Sequence, residues 1–353
     1  MSLPRMEQPF VEGSVETQVG RVPRISATLG WADHLGTIKA RWGVGRMKFT
    51  VDPGLYALGN PDEKTRVFVT ANYKMSFDRL REALAARDAW ILVLDTNGVN
   101  VWCAAGKGTF GTEELVRRIE FSNLAQIVAR RELILPQLSG PGVAAHLVKK
   151  RSGFKIIYGP IASADLPRFL DAGCKATPDM RKKTFSTGER TVLVPVELVG
   201  TLKWSLLILP GLFFVGGFGG EGGFWAGTMR YGLFAAVAFI CAIASGAVLT
   251  PILLPWLPGR AFSLKGLIMG LVTAILLAGF WPGNFNGWTG RTEIIAWFLL
   301  IPALSAYLAM NFTGASTYTS LSGVRKEMKW AVPLEIAGGG AGLILWITAL
   351  SVA

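Results

Sequence analysis

Cys103 lies in the stretch of this chain whose residue types are best suited to chemistry. The stretch 95–108, Asp-Thr-Asn-Gly-Val-Asn-Val-Trp-Cys-Ala-Ala-Gly-Lys-Gly, follows an apolar run, 89–94, that predicts a buried strand. Asn100 can cap a helix and two glycines follow the cysteine, so the sequence predicts a helix of little more than one turn. The unpaired N–H groups of that turn, with Lys107 on the same face, favour a thiolate. Such a sulfur can attack an electrophile or ligate a metal.

The other two cysteines lack such a context. An isolated cysteine is more often a small buried hydrophobe, and that alternative is preferred for Cys174, in a helix-ending segment, and for Cys241, inside an apolar run. The chain has 3 cysteines and no Cys-x-x-Cys, which excludes an iron–sulfur cluster held by this chain. Any electrons must therefore come from another protein.

The elements that position Cys103 alternate between strands and helices from residue 67 onward. This alternation predicts a mostly parallel, Rossmann-like sheet. The predicted strands are 67–71, 89–94, 133–135 and 155–158, and the predicted helices are 76–86, 142–149 and 164–172, with further helices between 112 and 130.

The loops that follow these strands share one edge of a parallel sheet, which is where such folds bind ligands. They are 70–72, 95–103, 136–142 and 159–162. The turn Ser139–Gly142 allows close approach of the backbone, and the N–H groups of the helix that it opens suit phosphate or amide oxygens. A Gly-Pro-Gly turn alone is a weak signal, but its place beside Cys103 gives it weight.

Three segments carry a resemblance to known families. The string Asn100-Val-Trp-Cys-Ala-Ala-Gly-Lys107 resembles the cap-helix motif of the corrinoid proteins of the microbial mercury-methylation system, the HgcA family. The segments Val67–Lys74, with Phe77, and Leu135–Ala145 are similar to parts of that family and of the corrinoid-binding domain of the corrinoid iron–sulfur protein in acetyl-CoA synthesis.

The resemblance implies a cobalamin-type corrinoid whose own base is detached from cobalt. Cys103 is implied to be the lower axial cobalt ligand and the catalytic residue, with the loops at Thr70 and Gln137–Val143 around the macrocycle and its tail. The remaining cofactor-binding residues that it implies are Asn72, Asn100, Val101, Trp102, Ala104, Ala105, Gly106, Lys107, Ser139, Gly140, Gly142 and Val143.

The activity implied by the resemblance is a corrinoid-dependent methyl transfer. A methyl group from a donor of the methyltetrahydrofolate pathway passes through methyl-Co(III) to inorganic Hg(II) and gives methylmercury. A ferredoxin-like iron–sulfur protein, HgcB in this family, is the implied electron donor.

Histidine ligation of cobalt is not expected. The Asp-x-His-x-x-Gly motif that supplies such a ligand is absent, because Asp33-His34 has the wrong spacing and no strand before it. His146, on a predicted helix, is more readily explained as an ordinary surface or core histidine.

Composition separates the chain into two domains. It has 353 residues and a net charge of +12, but long apolar runs fill 204–352 and the cations flank them, which indicates a membrane protein and not a nucleic-acid binder. The predicted organisation is a flexible arm 1–22, a corrinoid-binding domain 23–185, a linker 186–201 and an all-α membrane domain 202–353. Its five predicted transmembrane helices are 202–218, 231–249, 264–280, 294–312 and 330–352.

The predicted orientation places the first domain in the cytoplasm and the C-terminus outside, across the inner membrane. The N-terminus does not have the pattern of a signal peptide, and cations concentrate in alternate loops, with Arg260, Lys265, Arg325 and Lys326 on the inner side. Glu335 is expected to be the ionisable residue within the spans, with either a functional role or a position near the interface.

Two alternatives to mercury methylation remain. One is a corrinoid methyl carrier for another acceptor in folate-linked one-carbon metabolism, which the residues do not exclude. The other is a transporter that senses metal through Cys103, and the lack of paired charges along the apolar runs argues against it.

Overall fold

The chain divides into two compact units, Met1–Thr184 (the first unit) and Phe185–Ala353 (the second unit). The structure is a computed structural model that describes residues 4–220, 222–281, 287–314 and 321–352. The first unit is a mixed α/β domain, and the second is a helical region with several apolar helices.

The first unit is built on a 7-stranded sheet. The strands are β1 Val11–Thr17, β2 Gly20–Ile25, β3 Gly54–Leu58, β4 Val67–Ala71, β5 Ala89–Leu94, β6 Glu132–Leu135 and β7 Lys155–Tyr158. The helices are α1 Trp31–Arg41, α2 Lys74–Ala83, α3 Val101–Lys107, α4 Thr112–Phe121, α5 Leu124–Ile127, α6 Ala145–Ser152 and α7 Leu166–Asp171.

The strand order is β1-β2-β3-β5-β4-β6-β7, and the pairing is mixed. Strands β5, β4, β6 and β7 form a parallel half, whereas β3 pairs with β5 antiparallel and β1 with β2 antiparallel. The expectation of a mostly parallel sheet therefore holds for the half that follows residue 67.

Strands β4, β5 and β6 of the parallel half are buried on both faces, which explains their continuous apolar sequences. In β5, Trp90, Leu92 and Leu94 point into one core, while Ile91 and Val93 point into a second core on the other face. Helix α4 contributes to the first core, and helices α2 and α7 contribute to the second.

The prediction of a flexible arm over 1–22 is wrong. Residues 11–25 form the β1–β2 hairpin, and residues of it such as Val22 and Ile25 are buried in the two cores. Charged residues of the hairpin such as Glu12 and Glu16 are exposed, and β1 has no buried residue, so the sequence looks polar on average.

Helix α1 was not predicted, and a network of charges holds it to α2. Asp33 on α1 accepts hydrogen bonds from Lys74 at 2.5 Å and from Arg81 at 2.7 Å, and both cations also bind Asp78, at 2.8 Å each. Arg81 is fully buried and also donates to the carbonyl oxygens of Ser26 and Thr28.

Among its described residues, the second unit contains 4 helical segments long and apolar enough to cross a membrane. They are Thr187–Gly216, Phe224–Leu253, Trp288–Gly314 and Ser322–Val352, and a shorter apolar helix spans Phe262–Ala278. Its helices are α8 Thr187–Thr191, α9 Val194–Gly216, α10 Phe224–Gly227, α11 Leu233–Ile243, α12 Thr250–Leu253, α13 Phe262–Ala278, α14 Trp288–Asn311 and α15 Leu321–Val352, with π-helical turns at Thr228–Gly232 and Ala244–Leu249.

Two sequence predictions for this unit need correction. The predicted linker 186–201 is helical, because Ser186 and Glu189 form a capping box that starts α8, and Pro195 suits the first turn of α9. Glu335 is also accompanied by a second acid, since Glu293 lies buried within α14, one residue before the predicted span 294–312.

Candidate functional site

Helix α3 presents Cys103 to solvent on a short stub. Asn100 caps the helix, and its side-chain oxygen accepts a hydrogen bond from the N–H of Cys103 at 2.9 Å. Gly108 ends the helix in the left-handed conformation, at φ 82. Cys103 is an exposed, free cysteine, so the predicted capped stub is what the structure contains.

The two faces of α3 have different roles. Val101, Ala104 and Ala105 are buried in the core of the first unit. Trp102, Cys103, Gly106 and Lys107 are exposed on the other side. The buried side chains therefore hold α3 against the core. Its outer face carries the Cys103 thiol and, one turn further along, the Lys107 cation.

Asn72 supports the turn that leads from β5 to α3. Its Oδ1 accepts hydrogen bonds from the N–H of Thr96 at 3.0 Å, the hydroxyl of Thr96 at 2.8 Å and the N–H of Gly98 at 3.1 Å. Its amide nitrogen donates to Asp95 at 3.2 Å. Asn72 was predicted to bind cofactor, and in the structure its side chain positions the loop that carries Cys103.

Glu114 also holds this loop and was not identified from the sequence. Its carboxylate accepts a hydrogen bond from the N–H of Asp95 at 2.9 Å and pairs with Arg118 at 2.7 Å. The spacing of Glu114, Arg117 and Arg118 on α4 is a detectable i, i+3 and i+4 charge pattern, but the contact with Asp95 crosses between elements.

The loop after β6 packs directly behind α3. A Cβ added to Gly142 would collide with the carbonyl oxygen of Phe110 and would lie 3.0 Å from the Cα of Ala105. The carbonyl oxygen of Gly142 accepts a hydrogen bond from the N–H of Thr112 at 3.2 Å. Gly142 is therefore required for close contact between two loops of the site.

The other predicted residues of this loop have different surroundings. Ser139 is fully buried, and its hydroxyl donates to the carbonyl oxygen of Pro136 at 2.7 Å. Gln137 accepts a hydrogen bond from Arg181, and Val143 is buried. A Cβ added at Gly140 would make a tight contact, at 3.3 Å, with the carbonyl oxygen of Gln137.

A cavity of about 390 Å³ opens at the carboxyl ends of the parallel strands. Residues of all four predicted edge loops line it, among them Thr70, Trp102, Leu138 and Pro160. Asn100, Val101, Arg41 and Arg79 also line the cavity. The structure thus brings together the loops that the sequence placed at one edge, with α3 as part of the wall.

Most of the predicted cofactor-binding residues do not line this cavity, namely Asn72, Cys103, Ala104, Ala105, Gly106, Lys107, Gln137, Ser139, Gly140, Gly142 and Val143. His146 is exposed on α6 and does not line it. Within the described ranges, no group of three or more His, Cys, Asp or Glu side chains is arranged to hold a metal ion. Cys103 lies on α3 next to the lining residues, with its sulfur free.

The part of the chain that forms this site is similar to known proteins. The family model for the CO dehydrogenase/acetyl-CoA synthase delta subunit matches residues 42–169, which include every predicted site residue. Two similar proteins are gamma subunits of the acetyl-CoA decarbonylase/synthase complex. The one from Methanopyrus kandleri is 33% identical over 126 residues, 34% of this chain and 26% of that protein.

The gamma subunit from Methanothermobacter thermautotrophicus is 28% identical over 189 residues, 48% of this chain and 41% of that protein. This chain therefore spans between about a quarter and two fifths of the length of these relatives. The similarity supports a shared domain around the cavity and Cys103.

Proposed function

We propose that the first unit binds a corrinoid with the Cys103 thiolate as lower axial ligand of cobalt, and that the second unit anchors it to a membrane. The observation that carries this proposal is the exposed sulfur on a capped stub, beside a cavity formed by four strand-end loops. Similarity to acetyl-CoA decarbonylase/synthase gamma subunits agrees with the resemblance to the corrinoid iron–sulfur protein of acetyl-CoA synthesis.

The residues present fit such a group. A planar macrocycle needs one axial donor and an open surface, and the outer face of α3 offers both, because a Cβ added at Gly106 would meet nothing within 4 Å. The tail with the detached base needs a deeper site with hydrogen-bond donors. The cavity behind α3 is lined by Arg41 and Arg79 and by the backbone of three further loops.

A cation lies close to the proposed ligand along α3. Cys103 is in the first turn of the helix, and Lys107 is exposed one turn further along. When bound, the corrinoid supplies a cobalt-carried methyl group for transfer to an acceptor. Asn100, Asn72 and Glu114 keep the thiolate in place during that transfer, since each holds the backbone of the 95–103 loop.

For the acceptor we propose inorganic Hg(II), which makes the chain a mercury-methylating corrinoid protein. The support is the string Asn100–Lys107, shared with the mercury-methylation family, together with the apolar helices of the second unit. A methyl carrier for another acceptor in one-carbon metabolism is the alternative. In either case the electrons come from a ferredoxin-like iron–sulfur partner, proposed as HgcB, and methyl from a methyltetrahydrofolate-linked donor.

The test uses the full chain in detergent, loaded with methylcobalamin and supplied with Hg(II). We expect methylmercury to form, and we expect Cys103→Ala to abolish its formation and to shift the visible spectrum of the bound Co(III) corrinoid. Cys103→Thr keeps the size and a weak oxygen donor, and it should be equally inactive. Cys174→Ala, Cys241→Ala and His146→Ala are matched controls that should keep both the spectrum and the activity.

Two results would contradict the proposal. An unchanged spectrum and full activity in Cys103→Ala would show that the Cys103 thiolate is not a ligand of cobalt. A wild-type chain that binds corrinoid with the expected spectrum but transfers no methyl group to Hg(II) would favour the other acceptor.

A further inference from the structure

A basic cavity of about 920 Å³ lies in the second unit, among α8, the 254–262 segment and the first part of α15. Four cations line it, Arg190, Arg260, Lys265 and Lys326, against one acid, Glu327. The excess of positive charge sits beside helices that are otherwise apolar, and the corrinoid proposal does not use it.

The single acid does not neutralise these cations. Oε1 of Glu327 accepts hydrogen bonds from the N–H of Ser263 at 2.7 Å and from its hydroxyl at 2.8 Å, and so caps the start of α13. Across the described parts of the chain, no ion pair involves any of the four cations. The cavity wall therefore carries an excess of positive charge that no ion pair among the described residues offsets.

Arg190 is the clearest example of a cation without an ion pair among the described residues, because its side chain is buried and only 3% exposed. Its terminal nitrogens donate only to neutral oxygens, namely those of Phe185, Thr187 and Ile252. Its Nε is buried and, within the described residues, has no hydrogen-bond partner. Burying a guanidinium without an anion beside it costs folding free energy. A negatively charged ligand bound next to Arg190 would offset that cost.

The cavity wall is also apolar and aromatic. The guanidinium of Arg190 lies 6.0 Å from the ring centre of Phe185 and 5.8 Å from that of Trp256. Phe185, Leu254 and Phe262 form a buried apolar cluster, and Trp330 lines the cavity as well. A ligand of this cavity thus combines an anionic group with an apolar part.

We propose that this cavity binds the phosphate headgroup of an anionic phospholipid. Basic pockets between membrane helices recognise such headgroups, and the aromatic and aliphatic wall accommodates the first carbons of the acyl chains. A soluble phosphate compound would satisfy the cations but would leave the exposed ring of Trp330, in the cavity wall, in contact with water. The lipid is thus the occupant that fits both parts of the wall.

The experiment measures lipid binding by the delipidated full chain in detergent, using native mass spectrometry. The probes are palmitoyl-oleoyl phosphatidylglycerol, the matching phosphatidylcholine and inorganic phosphate. We expect phosphatidylglycerol to bind at least about tenfold more tightly than phosphatidylcholine, and inorganic phosphate at millimolar concentration to leave it bound.

Two double variants with equal loss of charge locate the site. Arg260→Gln with Lys326→Gln should weaken phosphatidylglycerol binding at least about fivefold. Arg325→Gln with Lys329→Gln removes two exposed cations of α15 that do not line the cavity, and it should leave binding within about twofold of the wild type. Lys326→Gln alone serves where the double variant is unstable.

The proposal fails on any of three results. These are equal binding of the two lipids by the wild-type chain, equal weakening by the two double variants, and displacement of the lipid by inorganic phosphate, which would assign the cavity to a soluble anion. The lipid selectivity of the wild type needs no variant, so the test does not depend on the folding of any substitution.

Discussion

The side-chain oxygen of Asn100 accepts a hydrogen bond from the backbone N–H of Cys103 at 2.9 Å. Through this bond, one residue fixes the start of α3 and the position of the sulfur. The helix has only 7 residues, so the hydrogen bonds of its first turn contribute much of its stability.

Substitution of Asn100 should therefore act on the thiolate without removing it. We expect Asn100→Ala to destabilise the first unit by about 1 kcal/mol and to weaken corrinoid binding, because the N–H of Cys103 loses its acceptor. Asn100→Ser retains a good cap and should restore most of both properties. The measurements are urea midpoints and corrinoid titration, and equal behaviour of the two variants would show that capping is not the function of Asn100.

Two glycines of the site should respond in opposite ways. Gly142→Ala should destabilise the first unit by at least about 2 kcal/mol, because the added Cβ collides with the backbone of Phe110. Gly106→Ala meets open space and should leave the fold intact or slightly more stable, since alanine favours a helix.

Corrinoid titration then separates folding from binding at Gly106. If the macrocycle lies against the outer face of α3, Gly106→Ala should reduce corrinoid affinity although the urea midpoint is unchanged. Full affinity in that variant would place the macrocycle away from Gly106.

The contact between α1 and α2 should weaken in acid. Burial acts to raise the pKa of Asp33, but hydrogen bonds from Lys74, Gly30 and Arg81 outweigh it and lower the pKa to about 2, from 3.8. A carboxyl group with a lower pKa in the folded state stabilises the fold above its unfolded pKa and loses that contribution as pH falls towards 2.

The variant Asp33→Asn should thus be less stable than the wild type at pH 6, and the difference should shrink on acidification to pH 3 and below. Asp179→Asn is the control, because that side chain is 92% exposed and its Lys182 partner is 3.5 Å away. Urea midpoints by circular dichroism measure both. A difference that stays constant down to pH 2 would show that the charge of Asp33 does not hold α1.

The number of spans depends on α13. Its 17 residues are about 25 Å long, less than the roughly 30 Å of a hydrocarbon core, whereas four other segments are long enough. If α13 crosses, Ser322 lies on the same side as the first unit, which the sequence predicts to be cytoplasmic. If it does not, Ser322 lies outside.

Labelling of a Ser322→Cys variant distinguishes the two arrangements. In a background without the three native cysteines, we expect no reaction with an impermeant thiol reagent on intact cells, and we expect Ser351→Cys near the C-terminus to react. The opposite result for both positions would contradict five crossings that start from a cytoplasmic first unit. The positions 284 and 286, which also suit this labelling, lie outside the described residues.

The sequence predicted the elements that depend on local pattern. Strands β4, β5 and β7 have the predicted bounds. β4 and β5 are buried on both faces and read as continuous apolar runs, and β7 contains the apolar pair Ile156 and Ile157. The Cys103 stub was equally readable, since the cap, thiol and glycine stop lie within nine residues of sequence, 100–108.

The features that were missed depend on contacts between distant segments. Asn72 and Thr96 are 24 residues apart, and Asp95 and Glu114 are 19 apart, so their hydrogen bonds have no local signal. Helix α1 is held to the domain by the bonds of Asp33 with Lys74 and Arg81, which are distant in sequence. The β1–β2 hairpin is likewise held by its place at the edge of the sheet. The sequence therefore predicted the sulfur and its cap at Asn100, but not the contacts between distant segments that hold the loop.

The exposure of Cys103 also makes the order of loading important. A free, exposed thiol is itself a strong ligand for soft metal ions. If the proposed substrate is correct, Hg(II) that arrives before the corrinoid would occupy the sulfur and block the axial position. The chain would then be inhibited by its own substrate until loaded, and the cofactor would protect the protein that it activates.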